Sequence, residues 1–170
     1  MKELLPHVYL LPQVLTGDEA ERLLHLRDSV ACHHGDEDGH HVRQTKPLML
    51  PWIANILWLD LEEHIMAIEP QACCIDEWMR LYRLPEGAGM VHPHRDKDFV
   101  ADNGLVATHS ILLYLSDDYE GGETVFEEKV AAPHLPRGAG LLFRHDVLHE
   151  GFVVRRGEKF VLKTDLCFKH

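Results

Sequence analysis

The chain has 170 residues, enough for one domain with a sizeable core, and 45% of them are hydrophobic. Its 17 Lys and Arg residues against 28 Asp and Glu residues give a formal net charge of −11, which argues against a nucleic-acid partner and mildly favours neutral or basic ligands. Apolar runs are shorter than the roughly 20 residues of a membrane helix. The N-terminal residues include Glu3 and lack an unbroken apolar core, so we expect neither a signal peptide nor a membrane partner.

The spacing of the four cysteines indicates whether the protein resides in a reducing or an oxidising compartment. Cys73 and Cys74 are adjacent, Cys32 and Cys167 stand alone, and the sequence has no C-x-x-C motif. This spacing suggests neither a zinc site nor a disulfide framework. We expect reduced thiols in a cytoplasmic protein.

The N-terminal part predicts a short strand followed by a helix. Residues 8–11 are an apolar strand segment. Thr16 and Glu19 have the spacing of a capping box, so a helix is expected to begin there and to run to about Ser29.

Residues 32–41 are rich in histidine and acidic residues, contain two glycines and lack periodicity. We interpret this segment as a mobile loop. A second metal site or a flap over a pocket is the functional alternative, and a solvated loop with adventitious metal affinity is the simpler one.

A second helix is predicted over residues 52–65, which are strongly apolar, with Pro51 in its first turn. We expect it to pack on a sheet and Trp58 to lie in the core. The residues predicted on its sheet-facing side are Trp52, Ile56 and Leu59.

From residue 75 the pattern changes to about seven short strands separated by glycine and proline. The first strand, up to residue 84, would carry Trp78, Arg80, Tyr82 and Leu84 on one face. The order predicts an α+β fold with a mostly β core, namely a double-stranded β-helix or jelly roll. We expect a single domain over 1–170, with helical support at about 1–74 and the core at about 75–168.

His94 and Asp96 form an H-x-D pair in one of these strands. Residues two apart in a strand point to the same side. The pair therefore supplies two ligands of a 2-His-1-carboxylate triad, which binds Fe(II) and leaves coordination positions open. An isolated H-x-D is a weak signal, because 34–36 repeats it.

A third ligand must come from another strand, and His145 and His149 are the candidates. His149 is preferred, since it lies near the start of a strand and 55 residues after His94. His145 belongs to the connecting turn, where an exposed histidine without a structural role is expected.

The strand over 159–165 carries Lys159, Val161 and Lys163 on one face. A cation that points into an apolar barrel needs an anionic partner. A dicarboxylate would be a suitable partner, because one end could chelate the metal while the other end meets the ammonium. Surface lysines on an outward face are the alternative.

Three segments in this order resemble the Fe(II)/2-oxoglutarate dioxygenases of the prolyl 4-hydroxylase type, over roughly 75–168. They are His94-Arg95-Asp96, the run 110–126, and His149-Glu150-Gly151 followed by Gly157-Glu158-Lys159. The resemblance makes His94, Asp96 and His149 the iron ligands.

The resemblance also implies a 2-oxoglutarate site. Lys159, ten residues after His149, matches the basic residue that binds the distal carboxylate, and Lys163 is the second candidate. Tyr114 resembles a tyrosine that hydrogen-bonds this carboxylate, and Tyr82 resembles another that lines the pocket. Ordinary barrel packing is the alternative for both tyrosines.

The implied reaction uses Fe(II), 2-oxoglutarate and O₂, with ascorbate as an accessory cofactor, and releases succinate and CO₂. It hydroxylates a C–H bond of a protein residue such as proline, or of a small molecule. Asp96 favours hydroxylation over halogenation, because its carboxylate fills the position that a halide would need. The segment 32–41 departs from the family and leaves the identity of the substrate open. The sequence also leaves the oligomeric state open.

Two other functions remain open at this point. A cupin-type metal protein would use His92 and His94 as an H-x-H pair, although Asp98 is a poor substitute for the glutamate that a cupin needs. A non-catalytic sensor of 2-oxoglutarate or iron could use the same barrel.

Overall fold

The computed structural model describes residues 1–29, 32–34, 43–88 and 91–169. Within these ranges the chain forms seventeen β-strands, two α-helices and a short 3-10 helix. The strands are β1 (Lys2–Leu5), β2 (Val8–Leu11), β3 (Cys32–His34), β4 (Arg43–Thr45), β5 (Leu48–Met49), β6 (Ala72–Ile75), β7 (Trp78–Pro85), β8 (Val91–His94), β9 (Phe99–Val100), β10 (Val106–Tyr114), β11 (Glu120–Gly121), β12 (Thr124–Phe126), β13 (Val130–Ala131), β14 (Gly140–Arg144), β15 (His149–Gly151), β16 (Val154–Arg156) and β17 (Glu158–Phe168). The helices are α1 (Gly17–Ser29), α2 (Pro51–Ile68) and the 3-10 helix Glu127–Lys129.

Two antiparallel sheets build the core. The large sheet has the order β1-β2-β14-β10-β17-β7-β4-β3, with β5 paired to β7, β6 to β17 and β9 to β10. The small sheet has the order β13-β12-β15-β8, and β11 and β16 form a separate pair. The predicted mostly β jelly roll with supporting helices is confirmed.

The large sheet separates two apolar clusters, because side chains alternate between its faces. The helix-side core packs against α1 and α2. It includes Leu23, Leu57, Leu61, Ile111, Leu113, Leu162 and Leu166. The barrel interior lies between the large and small sheets. It includes Leu84, Tyr114, Phe126, Leu141, Phe143, Val154 and Val161.

Helix α1 begins with the predicted capping box. The backbone N–H of Glu19 donates to Thr16 Oγ1 over 3.3 Å, and the backbone N–H of Thr16 donates to Glu19 Oε2 over 2.8 Å. These hydrogen bonds hold the pKa of Glu19 below its usual range. The helix ends at Ser29, as predicted.

Helix α2 begins at Pro51 as predicted, but the predicted packing face was wrong. Its buried side is made of Ile53, Ala54, Leu57, Leu61 and Ile65. Trp52 is 40% exposed and Leu59 is 75% exposed. The four-residue spacing from 53 to 65 keeps one stripe along the whole helix, whereas the other apolar stripe covers only its first half. Trp58 packs at the margin of the helix-side core.

The N-terminal part contributes more strands than predicted. Strand β1 pairs with β2, and β2 pairs with β14, so both extend the large sheet. Residues 32–34, predicted as part of a loop, form β3 and pair with β4. Residues 35–41 of that predicted loop lie outside the described residues. Neither described helix is long and apolar enough to span a membrane.

Candidate metal centre

His94, Asp96 and His149 lie together at one end of the small sheet. Strands β8 and β15 are neighbours, and His149 lies opposite His94 in their register. One ligand atom from each of the three residues lies within 4.8 Å of the others. Within this group, His94 Nε2 lies 3.7 Å from Asp96 Oδ1.

Both histidines are oriented by their own backbone. His94 Nδ1 lies 2.9 Å from the carbonyl oxygen of His92, and His149 Nδ1 lies 3.1 Å from that of Val147. A carbonyl oxygen can accept a hydrogen bond but cannot donate one, so Nδ1 carries the hydrogen and the Nε2 lone pair is left for a metal.

The His149 ring is buried against the barrel interior. Its centroid lies 4.7 Å from that of Phe143 and 6.2 Å from that of Phe126. Burial lowers its pKa, the Val147 carbonyl partly opposes this, and His94 adds to the lowering. His149 is therefore neutral near pH 7, which is the form that binds a metal.

Asp96 is anionic because of two neighbours from the large sheet. Ser110 Oγ donates to Asp96 Oδ2 over 2.5 Å, and Lys163 Nζ donates to the same oxygen over 3.1 Å. Burial alone would raise the pKa of Asp96, but Lys163, Ser110 and His149 together hold it below its usual range.

The prediction that His145 is exposed and idle was wrong, since the residue is only 2% exposed. Its Nδ1 lies 3.0 Å from Asp98 Oδ1, and its Nε2 lies 3.1 Å from Asp165 Oδ1. Asp165 is buried beside Lys163, with 3.9 Å between Oδ1 and Nζ. The turn packs inward because these two carboxylates supply partners for both ring nitrogens.

The three candidate ligands fit a divalent iron site. Two imidazoles and one carboxylate are the donors of the 2-His-1-carboxylate triad. The His94 side chain is 41% exposed, so solvent reaches the cluster from this side. A metal held by these residues would therefore be open to small ligands from solution.

Lys159 lies in the barrel interior and is 4% exposed. Its Nζ donates to the carbonyl oxygen of Gly122 over 2.6 Å and lies 4.8 Å from the ring centroid of Tyr114. Burial lowers its pKa to about 8, with Glu123 partly offsetting the effect. A buried ammonium with a depressed pKa gains stability when an anion approaches.

Gly122 allows Lys159 to approach the backbone this closely. Gly122 has a φ of 66°, and a Cβ there would lie 3.0 Å from Val154 Cγ2 and 3.2 Å from Lys159 Cδ. Both the left-handed backbone and the tight contact favour glycine.

Lys163 has different partners from Lys159. Burial would lower its pKa, but Asp165, Asp96 and Tyr82 raise it above the usual value. Both lysines are buried or nearly so, which removes the alternative of surface lysines on an outward face.

The two predicted pocket tyrosines lie on the inner face of the large sheet. Tyr114 is buried, its hydroxyl lies 3.1 Å from Thr124 Oγ1, and burial raises its pKa to about 12. Tyr82 is half-buried against the barrel interior, and burial raises its pKa too, while Lys163 partly opposes this. Thr124 was missed as a site residue, although it belongs to the 110–126 segment that carried the resemblance.

Two openings reach this inner surface. A cavity of about 430 Å³ is lined by Tyr114, Gly122 and Thr124, beside Lys159. A groove of about 570 Å³ on the other side is lined by Trp78, Arg80, Phe99, Asp165 and further residues of the same region. The groove reaches Asp165, and therefore the polar network behind Asp96.

No family model matches the chain, and no curated protein matches it either. Solved structures do match. A viral collagen prolyl hydroxylase from Paramecium bursaria Chlorella virus-1, in complex with 2-oxoglutarate, is 16% identical over 96% of this chain and 97% of that one, with a TM-score of 0.71. An oxidoreductase of the 2OG-Fe(II) oxygenase family from Burkholderia pseudomallei is 15% identical over 95% and 85%, with a TM-score of 0.69.

The chain has the fold of the 2OG-Fe(II) oxygenases. A third match, HygX from Streptomyces hygroscopicus with nickel, 2-oxoglutarate and hygromycin B bound, is 12% identical over 96% and 83%, with a TM-score of 0.67. The candidate ligands therefore lie on a barrel with the same fold as these three proteins.

The positions of the side chains distinguish between the H-x-H and H-x-D patterns. Among the described residues, the one group that could hold a metal contains Asp96 and not His92. Asp98 contacts His145 instead of the cluster. The cupin arrangement of ligands is therefore not formed.

Proposed function

We propose that this protein is an Fe(II)- and 2-oxoglutarate-dependent dioxygenase that hydroxylates a C–H bond and releases succinate and CO₂. The observation that carries the proposal is the meeting of His94, Asp96 and His149 within 4.8 Å on an oxygenase fold. A 2-His-1-carboxylate triad is the set of metal ligands that this class of reaction requires from the protein.

In this proposal His94, Asp96 and His149 hold the iron. Bound iron, with 2-oxoglutarate and O₂, supplies the oxidising power for the reaction. The chain contributes two imidazoles that are oriented by the carbonyls of His92 and Val147, and a carboxylate that Lys163 and Ser110 keep ionised. It also leaves part of the coordination sphere open for the cosubstrate.

Lys159 is the proposed anchor for the distal carboxylate of 2-oxoglutarate. Its partner is a neutral carbonyl, so an incoming carboxylate would stabilise its charged form. The hydroxyls of Tyr114 and Thr124, 3.1 Å apart, are further donors beside it, and Tyr82 lines the pocket. Lys163 is less suitable, since its ammonium already pairs with Asp96.

The substrate is proposed to enter through the groove at Trp78 and Phe99. The groove offers aromatic side chains and charged groups of both signs, including Arg80 and Asp165. The similar solved structures include a collagen prolyl hydroxylase and a complex with hygromycin B. A peptide residue such as proline and a small molecule are therefore both candidate substrates.

In this proposal, residues 1–170 form a single dioxygenase domain, with about 1–74 as support for the core at about 75–168. We also place the protein in the cytoplasm, in keeping with the free thiols of Cys73, Cys74 and Cys167.

Succinate formation tests the proposal. Purified protein is supplied in air with Fe(II), 2-oxoglutarate and ascorbate, and succinate is quantified with and without a panel of peptides and small molecules. We expect slow substrate-free turnover, stimulation by the true substrate, and neither in His149→Ala. Binding of 2-oxoglutarate without any consumption would favour the non-catalytic sensor, and absence of both would contradict the proposed function.

A further inference from the structure

The two oxygens of the Asp96 carboxylate face different surroundings. Oδ1 lies 3.7 Å from His94 Nε2, on the side of the candidate ligands. Oδ2 points to the large sheet, where it accepts hydrogen bonds from Ser110 Oγ at 2.5 Å and from Lys163 Nζ at 3.1 Å. The carboxylate is thus held by one oxygen and offers the other to the histidines.

The two donors are themselves fixed by the sheet. Ser110 on β10 lies opposite Asp165 on β17, and Lys163 is two residues from Asp165 on the same face. Asp165 Oδ1 lies 3.4 Å from Ser110 Oγ, 3.9 Å from Lys163 Nζ and 3.1 Å from His145 Nε2. This buried carboxylate therefore keeps both donors close to Asp96.

We propose that Lys163 and Ser110 are positioning residues that restrict Asp96 to binding the metal through Oδ1 alone. This inference rests on the proposed function. A carboxylate with two unengaged oxygens can bind a metal ion through both of them and so occupy an additional coordination position. Engaging Oδ2 leaves that position for the cosubstrate.

The ammonium of Lys163 has a second effect on the same site. Its charge compensates that of Asp96, so the metal-loaded cluster keeps more of the metal's positive charge. A more positive cluster attracts the doubly charged 2-oxoglutarate more strongly. Both effects favour cosubstrate binding, and neither requires Lys163 to touch the cosubstrate.

The test uses Mn(II), whose bound water is counted by water-proton relaxation, together with the dissociation constant of 2-oxoglutarate on the Mn(II)-loaded protein. The variants are Lys163→Met, Ser110→Ala and the conservative Lys163→Arg. Lys97→Met is the matched control, because it removes a positive charge beside Asp96 from an exposed side chain. Circular dichroism confirms that each variant is folded.

We expect Lys163→Met to hold less exchangeable water on Mn(II) than the wild type and to bind 2-oxoglutarate about tenfold or more weakly. Lys163→Arg should restore both values towards the wild type, and Lys97→Met should change neither. Ser110→Ala should shift both values in the same direction by a smaller factor. It removes only a hydroxyl, so it serves as the test if Lys163→Met does not fold.

An unchanged water count in folded Lys163→Met and Ser110→Ala would overturn the inference while leaving the proposed function intact. An equal shift in Lys97→Met would also overturn it, because the effect would then come from net charge. If the wild type does not bind Mn(II), or if its Mn(II) binding does not depend on His149, both the proposed function and this inference would be contradicted.

Discussion

His149 and His94 lie directly opposite each other on β15 and β8, with ring centroids 4.2 Å apart. The pairing joins two segments that are 55 residues apart in the chain. Asp96 follows β8 by two residues, so the same strand pair brings the carboxylate to the histidines. The register of β8 against β15 is therefore what assembles the candidate metal centre.

Asp96→Ala should abolish coupled turnover, because it removes the anionic ligand and leaves the Lys163 ammonium without its closest carboxylate. The measurement is hydroxylated product formed per 2-oxoglutarate consumed. Asp60→Ala, on the exposed side of α2, is the control and should behave like the wild type. Wild-type coupled rates in Asp96→Ala would contradict the ligand assignment.

Lys159→Met should weaken 2-oxoglutarate binding by about 100-fold, since it removes a buried charge that would pair with the distal carboxylate. Folding should not suffer, because a buried ammonium without a carboxylate partner is costly to the folded state. Equilibrium dialysis gives the affinity and a thermal melt gives the stability. An unchanged affinity for 2-oxoglutarate would show that a residue other than Lys159 binds the distal carboxylate.

The pH dependence of stability should also reveal Lys159. Burial lowers its pKa from 10.5 to about 8, so between these values the unfolded chain binds more protons than the folded protein. The free energy of unfolding without ligand should therefore rise with pH across this window, by on the order of 3 kcal/mol relative to Lys159→Met. Below pH 8 both states are protonated and the difference should be constant. Urea melts from pH 7 to 10.5 measure it, and parallel curves for the two proteins would contradict the burial of a charged Lys159.

His145→Leu should destabilise the fold by about 3 kcal/mol, because it leaves the buried Asp165 carboxylate without its imidazole partner. His64→Leu, on the exposed side of α2, should cost less than about 0.5 kcal/mol. Chemical denaturation compares the two variants. Equal stabilities would show that the His145 contacts contribute nothing.

Gly122→Ala should reduce 2-oxoglutarate affinity, since the new Cβ would lie 3.2 Å from Lys159 Cδ and displace the side chain. Gly87→Ala is a matched control: Gly87 has a φ of 81°, but its Cβ would meet nothing within 4 Å. Both substitutions carry a backbone cost of roughly 1–2 kcal/mol. A loss of affinity in both variants would attribute the effect to strain instead of to Lys159.

Local patterns were enough to predict the strand that ends at His94 and the shared face of Lys159 and Lys163 on β17, although Asp96 lies beyond the end of its strand. These predictions depend only on the two-residue period of a strand, which the sequence displays directly. The capping box of α1 was equally local. The choice between the two apolar stripes of α2 is not a local one, because it depends on which stripe continues along the whole helix.

The buried network behind Asp96 could not be predicted, because its members are distant in the chain. Asp98 is 47 residues from His145, and Asp165 is 20 residues from it. A histidine in a turn carries no local sign of such partners. For the same reason, the sequence does not show the pairing of Lys163 with Asp96, because β17 and the end of β8 meet only in the folded chain.

An anaerobic titration tests the central claim most directly. The metal-free protein is given Fe(II) and then 2-oxoglutarate, and the visible metal-to-ligand charge-transfer band of the chelate is followed in the wild type and in His149→Ala. We predict that the band appears in the wild type and is absent from His149→Ala. Iron bound by the wild type without any band on adding 2-oxoglutarate would contradict the account.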